Sequence, residues 1–297
     1  MIELIDRQEI NCLALLREAE KKVSRLDAEI LLSDVLGVNR SGLYVYEREI
    51  TEGQQRPYRF YVERRSKGVP LQYILGKTEF MGLEFEVNSS VLIPRPETEL
   101  LVEEAVRILR DGVVGAYSHT PLPIKPRNKP LILDLGTGCG NIAIALTKSL
   151  ADCKIIGSDI SGNALLTARR NARLNEVSQS IEFVISDLFN GFSSEKFDII
   201  VSNPPYVASP ELESLQEELQ FEPRIALDGG LDGLDFYRRI IKKAGSFLNK
   251  NGILMFELGF GQHEYVSRLL IDNDFSGITF ASDHNNIKRT VIAKWTD

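Results

Sequence analysis

Residues 202–206, which read Ser-Asn-Pro-Pro-Tyr, have the side chains and the restricted backbone needed to hold a planar nitrogen group. They follow the apolar, β-branched run 197–201, which predicts a buried strand. The prolines end that strand, because proline has no N–H for the ladder and Pro204 keeps Asn203 out of the helical region. The Asn203 side-chain oxygen and the Pro204 carbonyl are then two acceptors for the coplanar donors of an –NH2 group, whose face Tyr206 can cover. The alternative interpretation is a turn that only ends the strand, since Asn-Pro is common in turns.

A glycine-rich loop predicts a second functional feature. Residues 136–140 read Gly-Thr-Gly-Cys-Gly and lie between the apolar run 131–135 and a helical pattern that begins at Asn141. Glycines in this position let backbone N–H groups approach a ligand closely. The spacing differs from the dinucleotide-binding pattern, and no Gly-Lys-Ser/Thr follows, which excludes a phosphate-binding P-loop. For the loop by itself, a plain tight turn is the alternative.

Two acidic residues end the next two predicted strands. Asp159 ends the strand that follows the loop, where a carboxylate can accept hydrogen bonds from both ribose hydroxyls of a nucleoside. Asp187 ends the third strand and can accept from an adenine amino group, with Leu188 packing on the ring. Carboxyl ends of parallel strands meet at one edge of a sheet. The loop and the two acids therefore predict an adenosine ligand beside the nitrogen holder, a pairing that suggests methyl transfer.

The elements that must position these residues divide the chain into three parts. We predict a helical N-terminal domain at residues 1–76, a β-hairpin linker at 77–94 and an α/β domain at 95–297. From residue 131 onward strands and helices alternate, which predicts a doubly wound, mostly parallel sheet with last strands near 278–280 and 290–295. The proline-rich stretch 111–130 is predicted to be a mobile surface insertion.

Composition limits the classes of function. The net charge of −7 argues against a dedicated binder of duplex DNA, because phosphate contacts require clustered lysine and arginine. The three cysteines form no CxxC pair and the three histidines are scattered, so no disulfide framework or metal site is indicated. No apolar run approaches the length that spans a membrane, and the N-terminus is unlike a signal peptide, so we expect a cytoplasmic location.

One basic run in the N-terminal region has two interpretations. It contains Arg56, Arg59, Arg64, Arg65 and Lys67, interrupted by a single acid. The favoured interpretation is a solvated helix face; the other is a contact for an acidic or RNA-rich partner.

Four stretches, taken in chain order, resemble one known family. Residues 134–140 (Asp-Leu-Gly-Thr-Gly-Cys-Gly) resemble the cofactor loop of S-adenosylmethionine-dependent methyltransferases, and residues 203–206 resemble the signature of those that methylate amide or exocyclic amino nitrogens. Residues 92–99 (Leu-Ile-Pro-Arg-Pro-Glu-Thr-Glu) and 221–230 (Phe-Glu-Pro-Arg-Ile-Ala-Leu-Asp-Gly-Gly) narrow the resemblance to the PrmC/HemK family, the release-factor glutamine methyltransferases. It covers nearly the whole chain. The chain departs from the family at Leu188, where many members have an aromatic residue, and in its longer proline-rich stretch.

The resemblance implies a Rossmann-like methyltransferase sheet of seven strands in an α/β domain, with a small helical N-terminal domain that binds the substrate. It implies S-adenosylmethionine as cofactor, S-adenosylhomocysteine as product, no metal and no membrane partner. Class I peptide-chain release factors would be the substrate, methylated on the glutamine of Gly-Gly-Gln, and the enzyme would be a monomer. The catalytic residues carried over are Asn203, Pro204, Pro205 and Tyr206, which also bind the substrate together with Arg95 and Glu222. The cofactor-binding residues carried over are Gly136, Thr137, Gly138, Cys139, Gly140, Asp159, Asp187, Leu188 and Asn203.

Three alternatives stay open on the sequence. An adenine-N6 methyltransferase would use the Asn203 stretch to hold an extruded base, but the acidic charge and the lack of a recognisable target-recognition domain make nucleic acid an unlikely substrate. A glutamine methyltransferase of a ribosomal protein is a closer relative of the main interpretation. A cofactor-binding module without activity is disfavoured, because such a module does not need a nitrogen holder.

Overall fold

The computed structural model describes residues 11–45, 49–111, 113–114, 122–123 and 129–296. Within these ranges the chain forms two compact units. The first comprises the described residues before Lys77 together with Glu217–Phe221, and the second comprises the rest. The domain predicted at 95–297 is therefore interrupted by a short segment that belongs to the helical unit. None of the helices in the described ranges is long and apolar enough to cross a membrane.

The first unit is helical, as its pattern predicts. Asn11 and Ser24 cap two of its helices with side-chain oxygens that accept from backbone N–H groups, and Gly37 ends the second helix in the left-handed conformation. Buried leucines from these helices pack against Tyr58 and Val62 of the third. The helices are α1 (Cys12–Ala19), α2 (Arg25–Leu36), α3 (Glu52–Arg65) and α4 (Leu71–Leu75), with a 3-10 turn at Arg40–Val45.

The basic run of α3 pairs with nearby acids. Arg65 contacts Asp27 at 2.8 Å and also Glu218 of the inserted segment. The other three pairs are Arg59 with Glu18, Arg56 with Glu52, and Lys67 with Glu63. Mostly exposed pairs of this kind add little stability, but they balance the charge of four of the five basic residues in the run. The structure therefore favours the solvated helix face over a contact for an acidic partner.

The second unit contains the predicted seven-stranded sheet. The strands are β5 (Leu131–Leu135), β6 (Lys154–Asp159), β7 (Ile181–Ile185), β8 (Phe197–Ser202), β9 (Leu248–Glu257), β10 (Phe275–Ser282) and β11 (Lys288–Trp295). Their order in the sheet is β10-β11-β9-β8-β5-β6-β7, in which β11 runs antiparallel to both neighbours and the other pairs are parallel. The helices are α5 (Glu97–Asp111), α6 (Asn141–Ser149), α7 (Gly162–Leu174), α8 (Asp235–Ala244) and α9 (His263–Ile271).

Helices cover the sheet because their apolar stripes match it. In α8, Tyr237, Ile240, Ile241 and Ala244 recur at helical spacing and are buried, whereas its arginines and lysines face outward. The central strands are buried along most of their length, as expected for parallel strands covered on both faces. This packing holds the carboxyl ends of β5, β6 and β8 next to one another.

The hairpin predicted within residues 77–94 is present as β1 (Lys77–Phe80) and β2 (Leu83–Glu86). Met81 and Gly82 form its turn, and both have positive φ. Asn171 of α7 binds the hairpin from the side. Its Oδ1 accepts from the N–H of Glu86 at 2.6 Å, and its Nδ2 donates to the carbonyls of Glu86 and Cys139. One buried amide thus joins the hairpin to the glycine-rich loop.

Most of the proline-rich stretch 111–130 lies outside the described residues. Two short strands within it are described: β3 (Val113–Val114) pairs antiparallel with β4 (Leu122–Pro123). The predicted mobile insertion stays a prediction.

Candidate active site

The glycine-rich loop forms an open cradle between β5 and α6. Gly136 and Gly138 have φ of +73° and +56°, and a Cβ added at either would meet no atom within 4 Å. The N–H groups of Gly136 and Thr137 both donate to the carbonyl of Ser158, which fixes the loop against β6. Gly140 differs, because a Cβ there would lie 3.2 Å from Ala168 and Ile144. The first two glycines therefore leave room for a ligand, and the third allows close packing of α6.

A cavity of about 300 Å³ lies over the carboxyl ends of β5, β6, β7 and β8. This volume is at the small end of the range for ligand pockets. The cavity is lined by most of the site residues that were predicted from the sequence. The predicted residues that line it are Arg95, Gly136, Thr137, Gly138, Cys139, Asp159, Asp187, Leu188, Asn203, Pro204 and Pro205. Gly140, Tyr206 and Glu222, also predicted for the site, are not among its lining residues.

Asp159 ends β6 as predicted and is held by backbone donors. Its Oδ2 accepts from the N–H of Gly138 at 2.9 Å and its Oδ1 from the N–H of Ser161 at 2.8 Å. Burial raises the pKa of Asp159, and these backbone hydrogen bonds oppose that rise. A carboxylate has about four acceptor directions, so Asp159 retains capacity to accept from hydroxyl groups in the cavity.

Asp187 lies two residues after the end of β7, beside an arginine that the sequence did not reveal. Nη2 of Arg239, in α8, lies 2.7 and 2.8 Å from the two oxygens of Asp187. The same guanidinium lies over the ring of Phe236, 5.4 Å from its centroid. Leu188 follows with φ of +52°, and its carbonyl accepts from the Ser186 hydroxyl. Asp187, which the sequence predicted to face adenine, is therefore already paired with the Arg239 guanidinium.

The nitrogen-holding stretch begins where β8 ends. The Ser202 hydroxyl donates to the carbonyl of Leu135 at 2.7 Å and anchors this end of the strand to β5. Asn203 Nδ2 donates to the hydroxyl of Thr98, in α5, at 3.2 Å. The Thr98 hydroxyl in turn lies 2.6 Å from Oε2 of Glu257, at the end of β9. A series of hydrogen bonds thus runs from Asn203 in the cavity through Thr98 to Glu257 in the core.

Glu257 is the inner end of that chain and is only 2% exposed. Burial raises its pKa to about 7, while the hydrogen bonds from Thr98 and Tyr206 lower it. The Tyr206 hydroxyl lies 3.4 Å from Glu257 Oε1, and burial raises the pKa of Tyr206. The tyrosine therefore points its hydroxyl at a buried carboxylate, and its ring does not line the cavity.

Arg95 and Glu222, both predicted to bind substrate, contact each other. Arg95 Nη2 donates to Oε1 of Glu222, whose side chain is 1% exposed, and the N–H of Ile93 lies 3.3 Å from Oε2 of Glu222. Arg95 lines the cavity. Glu222 instead binds two residues of the 92–99 stretch, Ile93 and Arg95.

The glycines near residue 230 pack against the nitrogen-holding stretch. A Cβ at Gly229 would lie 2.8 Å from the carbonyl oxygen of Pro205, and a Cβ at Gly233 would lie 2.4 Å from that of Tyr206. Gln262 also donates to the Tyr206 carbonyl at 2.9 Å. Gly229 and Gly233 therefore allow their backbone to lie this close to residues 205–206, which a side chain at either position would prevent.

Sequence reasoning missed four residues of the site: Thr98, Asn171, Arg239 and Glu257. Two of the four could have been found from the sequence. Thr98 lies inside the 92–99 stretch, and Glu257 is a carboxylate that directly follows the apolar run 253–256 at the end of its strand. Asn171 and Arg239 lie on helices whose patterns give no sign of their contacts.

Comparisons with known proteins agree with this fold. Residues 11–76 match the family model for the PrmC N-terminal domain, and residues 122–222 match the model for the methyltransferase small domain. A methyltransferase from Pyrococcus furiosus is 15% identical, with a TM-score of 0.51 over 83% of this chain and 100% of that one. The hMettl16 catalytic domain is also 15% identical, with a TM-score of 0.56 over 83% of each chain. The sheet, the cradle and these likenesses define a Rossmann-like methyltransferase.

Relatives of similar length identify the family within that class. The release factor glutamine methyltransferase of Geobacter sulfurreducens is 43% identical over 277 residues, which cover 92% of this chain and 91% of that protein. The protein of the same name from Chlorobaculum tepidum is 40% identical, with 91% of each covered. The chain belongs to the release factor glutamine methyltransferase family, which confirms the resemblance seen in the sequence.

Proposed function

We propose that this chain transfers a methyl group from S-adenosylmethionine to the side-chain amide nitrogen of the glutamine in the Gly-Gly-Gln motif of peptide-chain release factors. The geometry of Asn203 carries the proposal. Its Nδ2 donates to Thr98, so its Oδ1 is the atom that can accept a hydrogen bond in the cavity. An acceptor at this point suits a substrate that presents an –NH2 group. The family to which the chain belongs supports glutamine as the source of that group.

The residues of the cradle fit the cofactor. The open space at Gly136 and Gly138 admits a ligand against the backbone, and Asp159 is placed to accept from ribose hydroxyls. Asp187 and Leu188 lie where the adenine would be recognised, with Thr137 and Cys139 completing the lining. S-adenosylmethionine, when bound, supplies a methyl group activated by its sulfonium centre. Gly140 acts indirectly in this proposal, by allowing α6 to pack.

The chemical problem is the weak nucleophile. The lone pair of an amide nitrogen is delocalised into the carbonyl, so the enzyme must aim the nitrogen rather than merely bind it. The Asn203 oxygen and the Pro204 carbonyl accept the two N–H hydrogens, which orients the nitrogen and stabilises the positive charge that develops on it. S-adenosylmethionine would supply the methyl group to the nitrogen held by Asn203 and Pro204, S-adenosylhomocysteine would be the leaving group, and one of the two amide hydrogens would be lost as a proton. Positioning then supplies most of the rate enhancement.

The remaining predicted residues act around that step. Pro205 lines the cavity beside Pro204, and Arg95 faces the cavity from the 92–99 stretch. We assign Tyr206 and Glu222 to positioning, because each contacts a buried partner rather than the cavity. Residues 11–76, which match the PrmC N-terminal domain, would grip the release factor away from the reacting glutamine. Binding energy from contacts away from the glutamine can be used to position its weakly nucleophilic nitrogen.

The direct test is mass spectrometry of a release factor and of unmethylated duplex DNA, each incubated with the enzyme and S-adenosylmethionine. The expected result is a gain of a single methyl group on the glutamine of Gly-Gly-Gln and none on the DNA. The Asn203→Ala variant is the control and should give much less methylated release factor in the same time. Methylation of adenine, with none on the protein, would replace the proposal by the adenine-N6 alternative.

A further inference from the structure

The Asn203 amide has two ends that differ in chemistry but hardly in shape. If the side chain rotated by a half turn about χ2, the cavity would receive two donors in place of an acceptor. A donor there would repel the –NH2 of a glutamine. The proposed function therefore requires neighbouring groups that favour one of the two orientations of the Asn203 amide.

The neighbours of Asn203 provide that distinction. Glu257, when ionised, can only accept hydrogen bonds, and its Oε2 lies 2.6 Å from the Thr98 hydroxyl. The single hydroxyl hydrogen of Thr98 is therefore committed to Glu257. The Thr98 oxygen can then only accept from Asn203, which must offer Nδ2, at 3.2 Å. Because Thr98 and Glu257 are 1% and 2% exposed, water cannot readily substitute for either partner.

We infer that Thr98 and Glu257 are positioning residues that set which end of the Asn203 amide faces the cavity. The inference rests on the proposed function for its catalytic meaning, but the orientation itself is a property of the free protein. The Glu257 carboxylate accepts from Thr98, so Thr98 must accept from Nδ2 of Asn203. The Asn203 oxygen is then the acceptor that faces the cavity. Tyr206 adds a second donor to Glu257 at 3.4 Å, which also favours the ionised carboxylate.

The direction of the hydrogen bonds that join Glu257, Thr98 and Asn203 can also reverse. If a proton binds to Oε2 of Glu257, the acid can donate to Thr98, and the Thr98 hydroxyl is free to donate to the Asn203 oxygen. The charged and titratable groups around Glu257 are Glu97 of α5, Arg289 of β11, Tyr237 of α8 and Tyr206. Glu97 favours the protonated carboxyl and Arg289 the ionised one. Methyl transfer should therefore decline as the pH falls and Glu257 is protonated.

Three variants test the inference by activity. Thr98→Val keeps the shape of the side chain and removes the hydroxyl, so kcat for the release factor should fall by about 10- to 100-fold. The KM and the affinity for S-adenosylmethionine should change much less, because Thr98 lies behind Asn203. Thr98→Ser restores the hydroxyl and should recover most of the lost kcat. The matched control is Thr290→Val: Thr290 pairs with Glu257 across the sheet and is fully buried, and its hydroxyl has no hydrogen-bond partner among the described residues.

The pH profile provides a second test, which does not require Thr98→Val to fold. In the wild type, kcat should fall on the acidic side as Glu257 is protonated. In Glu257→Gln, the amide can donate or accept toward Thr98, so kcat should be low and this acidic limb should be absent. A variant that kept the wild-type rate and the wild-type acidic limb would overturn the inference.

A third measurement separates this inference from the proposed function. The side-chain ¹⁵NH2 signals of Asn203, assigned by their loss in Asn203→Ala, report its hydrogen bond to Thr98 without any substrate. One of the two protons should be protected from exchange in the wild type, in Thr98→Ser and in Thr290→Val, and unprotected in Thr98→Val. If protection is the same in all four, the inference is wrong even if the enzyme methylates release factors. If protection follows the hydroxyl but no release factor is methylated, the proposed function is wrong and the orientation stands.

Discussion

Replacing Glu257 by glutamine should change how the stability of the protein depends on pH. The carboxyl is buried at the end of β9, and burial raises its pKa from 4.5 to about 7. Glutamine has nearly the same shape and does not titrate. The difference in free energy of unfolding between wild type and Glu257→Gln therefore isolates the ionisation of this one group.

The magnitude follows from the two pKa values. The rise from 4.5 to about 7 is about 2.5 pH units, and each unit corresponds to about 1.36 kcal/mol, which gives ~3 kcal/mol. The folded-state pKa lies above the unfolded value, so the folded protein binds the proton more tightly. This contribution to stability is fully present below pH 4.5 and is lost as the pH rises through about 7. Relative to Glu257→Gln, the wild type should become less stable at alkaline pH.

Urea denaturation of both proteins at about pH 5 and about pH 8.5 measures the effect. The difference in unfolding free energy should move against the wild type by about 2–3 kcal/mol between the two conditions. Asp134 is also buried, and burial raises its pKa to about 7. It is present in both proteins, so its contribution cancels in the comparison.

Parallel pH dependences in the two proteins would show that Glu257 ionises normally or that water reaches it. A difference of the opposite sign would mean that Arg289 and the hydrogen bonds from Thr98 and Tyr206 outweigh burial. If the expected result is found, the ionised state that orients Asn203 is also the less stable one. A site that stores such a penalty in its working state is common in enzymes.

Four further outcomes are expected. Asp159→Ala should weaken S-adenosylmethionine binding by roughly 1.5–3 kcal/mol, about one to two decades, and unchanged affinity in calorimetry would remove Asp159 from the site. Asn203→Ala should keep much of that affinity and lose most turnover; retaining more than about a tenth of the rate, a difference of only ~1.4 kcal/mol, would contradict its role. Gly233→Ala should lower the melting temperature, because its Cβ would lie 2.4 Å from the Tyr206 carbonyl oxygen, and an unchanged melting temperature would contradict that close packing. Finally, kcat/KM should be far higher for a folded release factor than for free glutamine, and equal values would exclude remote binding by the helical unit.

The sequence by itself determined the elements and the places where they stop. The apolar runs predicted as strands at 131–135 and 197–201 coincide with β5 and with all but the last residue of β8. These features are local, because side-chain periodicity, proline and glycine act on a few residues at a time. The same locality placed Asp159, Asp187 and Asn203 at strand ends, and parallel strands then brought them to one edge.

Only the tertiary structure decided what those residues touch. The bond between Thr98 and Glu257 joins positions 159 residues apart, and that between Asp187 and Arg239 joins positions 52 apart. Local pattern cannot encode such pairs, since either partner alone is compatible with a surface position. The basic run shows the same limit at two positions: Arg59 pairs with Glu18 and Arg65 with Asp27, and both acids are far away in the sequence. The orientation of the Asn203 amide is likewise set by a buried hydrogen-bond direction that begins on another strand, because the two ends of an amide have nearly the same shape and only their partners tell them apart.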